Sequence, residues 1–287
     1  MKKVLVTGTD GQLGIKIKEL SKKISSQEFI FTDIDELDIN NEKSVKTFCN
    51  NNSIGLLINC AAYTAVDKTE DDYDNALKTN CEAVKNLANA SIEHHFKIIH
   101  ISTDYVFDGN ANTPYSEIHQ TNPVNLYGKT KLEGEKALMK INNDSIILRT
   151  SWLYSEHGNN FLKTMLKLGK ESKFLKVVFD QTGTPTYAGN LAEAILIICN
   201  QYLEKNLWHS GIYHFSNQGV CSWFDFAHEI FKLSGIKTPI IPVLSNEFPT
   251  KATRPKYSVL DKSKICNIYN IKIKHWTEGL KECFENL

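Results

Sequence analysis

The chain lacks an excess of charge of either sign. Lys plus Arg and Asp plus Glu number 33 each in 287 residues, a formal net charge of zero. A protein built mainly to grip a phosphate backbone needs surplus cations, so nucleic acid is excluded as the principal partner, while a local cationic pocket for a nucleotide pyrophosphate is not. Long apolar runs are missing too. No stretch approaches the roughly 18 continuous apolar residues of a membrane span. After Lys2 and Lys3 only Val4, Leu5 and Val6 precede a Thr-Gly turn, too little for the apolar centre of a secretory signal. The seven cysteines are odd in number, scattered and never spaced CxxC. That pattern speaks against a disulfide framework or a zinc site, and for small buried hydrophobes in a reducing compartment. A cytoplasmic enzyme without internal repeats is expected.

What is present is an alternation of short apolar runs and helical patterns. Strands are predicted at 2–8, 28–33, 54–62, 97–103 and 145–151. Helices are predicted at Gln12–Lys23, Glu42–Asn51, Asn75–His94 and Tyr127–Lys140. The strands read as continuous apolar runs, the mark of a parallel sheet covered on both faces. With right-handed crossovers this gives an α/β, doubly wound parallel sheet of Rossmann type. Beyond Ser151 the pattern is less regular, with strands at 174–180 and 211–217 and helices at Leu191–Gln201 and Trp223–Leu233. Residues 238–261 hold four of the seven prolines and mix them with apolar anchors, which suggests an extended, substrate-facing region. The expected division is a dinucleotide-binding domain over 1–150 and a smaller mixed α/β substrate-binding lobe over 151–287, with some segments of the latter interleaved with the sheet.

Gly8, Gly11 and Gly14 form GxxGxxG where the first strand meets the first helix. Without Cβ atoms there, phosphates can approach the backbone, and the helix N-terminus offers free N–H groups and partial positive charge. Elsewhere the same spacing would be only a turn; its place after the opening strand points to a dinucleotide. Asp33 ends the second strand. A carboxylate there can accept from an adenosine ribose and tends to repel a 2′-phosphate, which favours tolerance of NADH. Asp35 and Asp38 lie nearby, and any of the three is alternatively a solvated turn carboxylate.

YGKTK sets Tyr127 and Lys131 one helical turn apart on one face. A phenol is a poor acid–base partner at neutral pH unless a neighbouring ammonium favours its ionised form, so Lys131 is expected to lower the pKa of Tyr127. YxxxK alone is weak, since both residues are common on amphipathic helices. Here it follows a strand ending in Ser102 and Thr103, whose hydroxyls can reach a substrate carbonyl at the edge where open α/β sheets bind ligands. Glycine turn, strand-end hydroxyl and YxxxK in this order form a specific constellation. Arg254 and Lys256 in TRPK suit a diphosphate, arginine by bidentate contact, or are solvated loop cations.

The segments VTGTDGQLG, LDINN, INCAAYTAVDKTE, STDYVFDG, YGKTKLEGE, LRTSWLY, GNNF, DQTGTPTY and ATRPKYSVLD cover nearly the whole chain. They resemble the extended short-chain dehydrogenase/reductases and, within them, the dTDP-4-dehydrorhamnose reductase family. The resemblance implies that Thr103, Tyr127 and Lys131 are the active triplet. It implies that Gly11, Gln12 and Leu13 touch the cofactor phosphates, Asp38 and Ile39 the adenine side, and Ala61, Ala62, Tyr63 and Thr64 the dinucleotide. Asp104 and Trp152 would meet the deoxysugar or its nucleotide, although Trp152 also reads as a core aromatic after a strand. The implied reaction is reduction of the C4 ketone of a dTDP-linked 4-keto-6-deoxysugar by NADPH or NADH. Tyr63 stands where many members carry histidine. Some members dimerise around magnesium through acidic side chains at positions that here are Lys16 and Gly189, so no metal site is expected, and a monomer or weak homodimer is. His94, His95 and His119 show no metal-ligand spacing. Two rival readings come with the resemblance: a reductase of a different 4-keto-6-deoxysugar, and a non-catalytic regulatory subunit of the same fold.

Overall fold

The computed structural model describes residues 2–24 and 27–287. In chain order the first half runs β1 (Lys3–Thr7), α1 (Gln12–Ser21), β2 (Phe29–Thr32), α2 (Glu42–Asn51), β3 (Ile54–Asn59), the short α3 (Val66–Thr69) and α4 (Tyr73–Leu77), α5 (Ala83–His94), β4 (Lys97–Thr103), α6 (Leu126–Ile141) and β5 (Ile146–Thr150). The second half adds β6 (Leu153–Tyr154), α7 (Phe161–Glu171), β7 (Leu175–Val178), β8 (Thr182–Gly183), β9 (Thr186–Tyr187), α8 (Ala188–Lys205) and β10 (Gly211–His214). It continues through β11 (Cys221–Ser222), α9 (Trp223–Ser234), β12 (Ile240–Val243), α10 (Ser263–Tyr269) and α11 (Trp276–Glu285).

Six strands form one parallel sheet in the order β2-β1-β3-β4-β5-β10. Successive side chains of a strand point to opposite faces, and the two faces bury different partners. Val4 and Val6 pack with Ile17 of α1 and with Leu191 and Ile195 of α8. Leu5 and Leu57 pack with Val45 of α2, Leu87 of α5 and Leu138 of α6. The chain steps from β1 out to β2, then returns to place β3 on the other side of β1. That reversal opens a crevice at the carboxyl ends of β1 and β3, where ligands of such sheets bind. A third core gathers Tyr154, Leu162, Met165, Phe226, Ile230 and Leu280 from the second half of the chain. Among the described residues no helix is long and apolar enough to cross a membrane, and all seven cysteines are unpaired.

Asn75–His94 reads as a single helix in the sequence, and the structure interrupts it. Between α4 and α5 lies a π-helical turn, Lys78–Glu82. Such a turn swells a helix locally and re-aims its side chains. Asn80 is thereby buried: its Oδ1 accepts from Tyr63 N at 2.9 Å, and its Nδ2 donates to Tyr63 O at 3.1 Å and Thr130 Oγ1 at 3.0 Å. Local helical propensity yields to a tertiary clamp on α6.

That helix is fixed to the sheet by a buried ion pair. Glu135 of α6 takes Arg149 Nε at 2.9 Å and Nη2 at 2.6 Å, with both side chains almost wholly enclosed. Ser102 Oγ also donates to Glu135, and the guanidinium lies over the Phe107 ring at 5.1 Å. Removing one member of such a pair strands the other charge out of water. Glu135→Ala should therefore destabilise the protein by about 3–5 kcal/mol, read from the shift of the urea midpoint; a loss below about 1 kcal/mol, the value of an exposed pair, would show that Arg149 finds another partner.

Candidate active site

The glycine turn follows β1. Gly8 has φ +69, and a Cβ on Gly14 would fall 2.4 Å from Gly8 O, so the turn and the first turn of α1 can be this close only without side chains there. Gly11 occupies the N-cap of α1 without a side-chain hydrogen bond, and the first turn holds no acidic residue. The leading N–H groups of α1 thus have no side-chain cap to compete with an anion. Asp10 N donates to Asp33 Oδ2 at 2.9 Å, which ties the end of β2 to the turn. Gln12 is held from the other side, its Oε1 accepting from Asn160 Nδ2 at 2.8 Å and Ser155 Oγ at 3.1 Å.

Asn59 joins three strands at the crevice. Its Oδ1 accepts from Thr7 Oγ1 at 2.8 Å and Ala61 N at 3.2 Å, and its Nδ2 meets His100 Nδ1 at 3.0 Å. Next to this knot β4 ends in Thr103, whose hydroxyl donates to Asp104 Oδ1 at 3.1 Å and accepts from Tyr105 N at 3.2 Å. The start of α6 is fastened on three sides. Asn125 accepts from Gly128 N at 2.8 Å and donates to Thr253 O at 2.8 Å, while Leu126 N donates to Glu70 at 2.9 Å. Tyr127, Lys131 and Glu135 then follow at successive turns of one helix face.

These elements enclose a cleft of about 690 Å³. Thr103, Asp104, Tyr127, Lys131 and Trp152 line one part of it. The residues expected to hold a dinucleotide line the rest: Gly8, Gly11, Gln12, Leu13 and Gly14 at the turn, Asp33, Asp38 and Ile39 beyond it, and Ala61, Ala62 and Thr64 after β3. Tyr63 and Arg254 are not in the wall. The Tyr63 hydroxyl donates to Asp72 at 2.9 Å, and Arg254 Nη2 donates to Asp67 at 2.6 Å while its Nη1 is buried without a partner. Asn160 and Trp223 enter the wall without having been singled out in the sequence. Asn160 lies in the GNNF segment, beside a helix start it caps; Trp223 carried no local signal beyond following an S-x-x-D helix start.

The electrostatics correct one expectation. Tyr127 is not poised for ionisation by Lys131; burial pushes its pKa up, the Thr103 hydroxyl opposes this, and the Asp104 carboxylate adds to it. Lys131 donates to Ile101 O at 2.7 Å, and burial brings its own pKa down to about 8 against the pull of Glu135 and Cys60. The spacing argument fixed which residues share a face and overlooked the desolvation that acts on both.

A second charged cluster lies where α1 meets the segment after β6. Glu19, Glu156 and His157 bring potential ligand atoms within 4.8 Å of one another, and Lys16 Nζ sits 2.7 Å from Glu19 and 2.6 Å from Glu156. Burial alone would lower the Lys16 pKa, but hydrogen bonds to Glu156 and Glu19 outweigh it and raise the value. The ammonium already supplies the cation that these carboxylates require. Gly189 is buried in the first turn of α8.

Asp104 is the other buried acid of the cleft. Burial raises its pKa from 3.8 to about 6, against the Ser258 and Thr103 hydroxyls, and its Oδ2 has no hydrogen-bond partner. Between those two values the folded state holds the extra proton, so stability falls as pH rises through them, and the cost is constant above about pH 6. Asp104→Asn should raise stability above pH 6 by up to about 3 kcal/mol, with the gain fading towards pH 4. Thermal unfolding across that range checks this; a gain independent of pH would exclude a titrating Asp104 as its source.

Comparison with known proteins follows the same lines. The family model described as the RmlD substrate binding domain matches residues 1–287. A dTDP-4-dehydrorhamnose reductase from Aggregatibacter actinomycetemcomitans is 39% identical, over 98% of this chain and 98% of its own. The crystal structure of a dTDP-4-dehydrorhamnose reductase from Clostridium acetobutylicum superposes with a TM-score of 0.93 at 46% identity, covering 99% of each chain. The reductase from Bacillus anthracis, solved in complex with NADP, gives 0.93 at 38% identity over the full length of both.

Proposed function

The chain belongs to the family of the RmlD substrate binding domain, and from that membership we propose that it reduces the C4 ketone of dTDP-4-dehydro-β-L-rhamnose to dTDP-β-L-rhamnose with NADPH or NADH. The observation that carries this reading is the meeting of Thr103, Tyr127 and Lys131 with the glycine turn in one cleft. A nicotinamide dinucleotide supplies the hydride when bound. The turn fits its pyrophosphate, because the first turn of α1 presents N–H groups with neither a side-chain cap nor an acidic residue within that turn.

The chain's own groups handle the proton. Burial keeps the Tyr127 phenol protonated, so it enters the reaction as an acid and donates to the carbonyl oxygen as that oxygen gains charge. The phenolate left behind is buried and needs a cation; Lys131, four residues on and still largely charged at neutral pH, is placed to provide it. Thr103, turning its single hydroxyl proton away from Asp104, donates to the same oxygen. Fixed donors aimed at charge that appears only in the transition state accelerate the step more than equal binding of ground and transition states would. Asp104 and Trp152 hold the sugar; Arg254, outside the wall and paired with Asp67, would reach the diphosphate only by leaving that pair. This reading keeps the protein in nucleotide-sugar synthesis, upstream of polysaccharide assembly.

Tyr127→Phe should lower turnover about 10²–10⁴-fold while the dissociation constant of the dinucleotide stays nearly unchanged. Absorbance at 340 nm with keto-sugar generated in situ measures the loss, and nuclear magnetic resonance of the product fixes its C4 configuration. Wild-type turnover by the Phe variant would remove Tyr127 from the mechanism, and the opposite C4 configuration would replace the proposed product by that of a sister reductase.

Cofactor choice is read at the other end of the cleft. Asp10, Asp33 and Asp38 line it there, and among the described residues Lys131 is the one lysine or arginine in the wall. A 2′-phosphate would meet carboxylates without a compensating cation, whereas a 2′-hydroxyl can donate to Asp33. Asp33→Ala should shift the kcat/KM ratio towards NADPH by about tenfold, the effect of removing one modest repulsion. An unaltered ratio in parallel initial-rate assays would show that Asp33 does not discriminate.

A further inference from the structure

We propose that Trp223 is a positioning residue of the nucleotide-sugar site, acting through Trp152 by holding that indole in the orientation that meets the sugar. The inference rests on the functional reading above and concerns a side chain which that reading leaves without a task. Trp152 follows β5 with φ 48, a left-handed backbone that a bulky side chain rarely adopts. Such a residue persists only where its surroundings over-determine it. Here the surroundings are a second indole. The rings of Trp152 and Trp223 stack with centroids 3.6 Å apart and planes 9° from parallel, and Phe161 packs on Trp223 at 4.6 Å. Gly183 lies so close beside them that a Cβ there would fall 2.5 Å from Trp152 Cε2.

Both tryptophans line the cleft, but their polar ends differ. The Trp223 indole N–H donates to Gln181 Oε1 at 3.2 Å. Gln181 Nε2 donates in turn to Ser245 Oγ at 3.0 Å, and Ser245 is bound to Asp180. Trp223 is also the first residue of α9, whose start is set by the reciprocal bonds of Ser222 and Asp225. Among the described residues the Trp152 indole N–H has no partner. One ring is therefore anchored to the protein at both face and edge, while the other keeps its donor free for a ligand. An aromatic held on a rigid support loses less freedom on binding than one that must be ordered by the sugar. The support should consequently show in sugar affinity, and only while Trp152 is present to transmit it.

The test is a double-mutant cycle on the full-length enzyme with saturating dinucleotide. Trp223→Ala should raise the KM for the dTDP-keto-sugar about five- to tenfold, the scale of one aromatic stack, with a smaller change in kcat and none in dinucleotide affinity. Trp223→Phe should recover most of that loss. In a Trp152→Ala background, Trp223→Ala should cost nothing further in kcat/KM. Should the alanine variant fail to fold, Trp223→Leu retains bulk without a ring face and takes its place in the cycle. Additive losses, or a fall confined to kcat, would overturn the inference while the functional reading stands. A wild-type enzyme inactive on the keto-sugar would overturn both.

Discussion

Arg149 on β5 and Glu135 on α6 meet in a space from which water is excluded, and their contact sets the face of α6 that carries Tyr127 and Lys131. A helix packed on a sheet by apolar contacts alone can rotate or slide by a fraction of a turn at little cost, because such contacts have no direction. A bidentate carboxylate–guanidinium pair has a direction. With Glu135 held by Arg149, the residues four and eight positions earlier on the same face have no freedom of azimuth. Lys131 meets the β4 carbonyl of Ile101, and Tyr127 lies beside Thr103 and Asp104. Asn80 from the π-helical turn holds Thr130, which lies between them. The helix that carries YxxxK is thus pinned from two directions.

Much of the fold is legible in the sequence because its signals are local. Residues 97–103 and 42–51 match β4 and α2 because a run of buried β-formers and an Asn-capped helix require no distant partner to announce themselves. The glycine turn is legible for the same reason. The interruption at Lys78–Glu82 is not, since its cause is a hydrogen bond between Asn80 and residues 17 and 50 positions away. In the site, the residues sharing a face could be read from spacing. The direction of the Tyr127 shift could not, because it depends on how completely the surrounding chain removes water. Trp223 was invisible for a related reason: its partner lies 71 positions earlier, and nothing between them marks the pair.

Charge is distributed more deliberately than a net value of zero suggests. Among the described residues the crevice holds acids where a ribose would lie and a single lysine beside the phenol. The other buried lysine of this region, Lys16, is locked outside the cleft between two carboxylates. Lys131 and Lys16 are both enclosed, yet their pKa values move in opposite directions, because burial outweighs the pull of Glu135 and Cys60 at Lys131 while hydrogen bonds to two carboxylates outweigh burial at Lys16. Burial alone does not decide the fate of an ionisable group; the partner it is buried with does.

The outermost strand beside β5 is residues 211–214, drawn from far along the chain. A polypeptide emerging from the ribosome has therefore made β5 long before it has made the neighbour that covers β5's open edge. During that interval the hydrogen-bonding groups of an apolar strand stand exposed, the situation in which nascent chains associate wrongly. The order in which this sheet is assembled thus makes synthesis itself a period of risk, and a chain interrupted between residues 150 and 211 would carry an uncapped β5 as a site for aggregation.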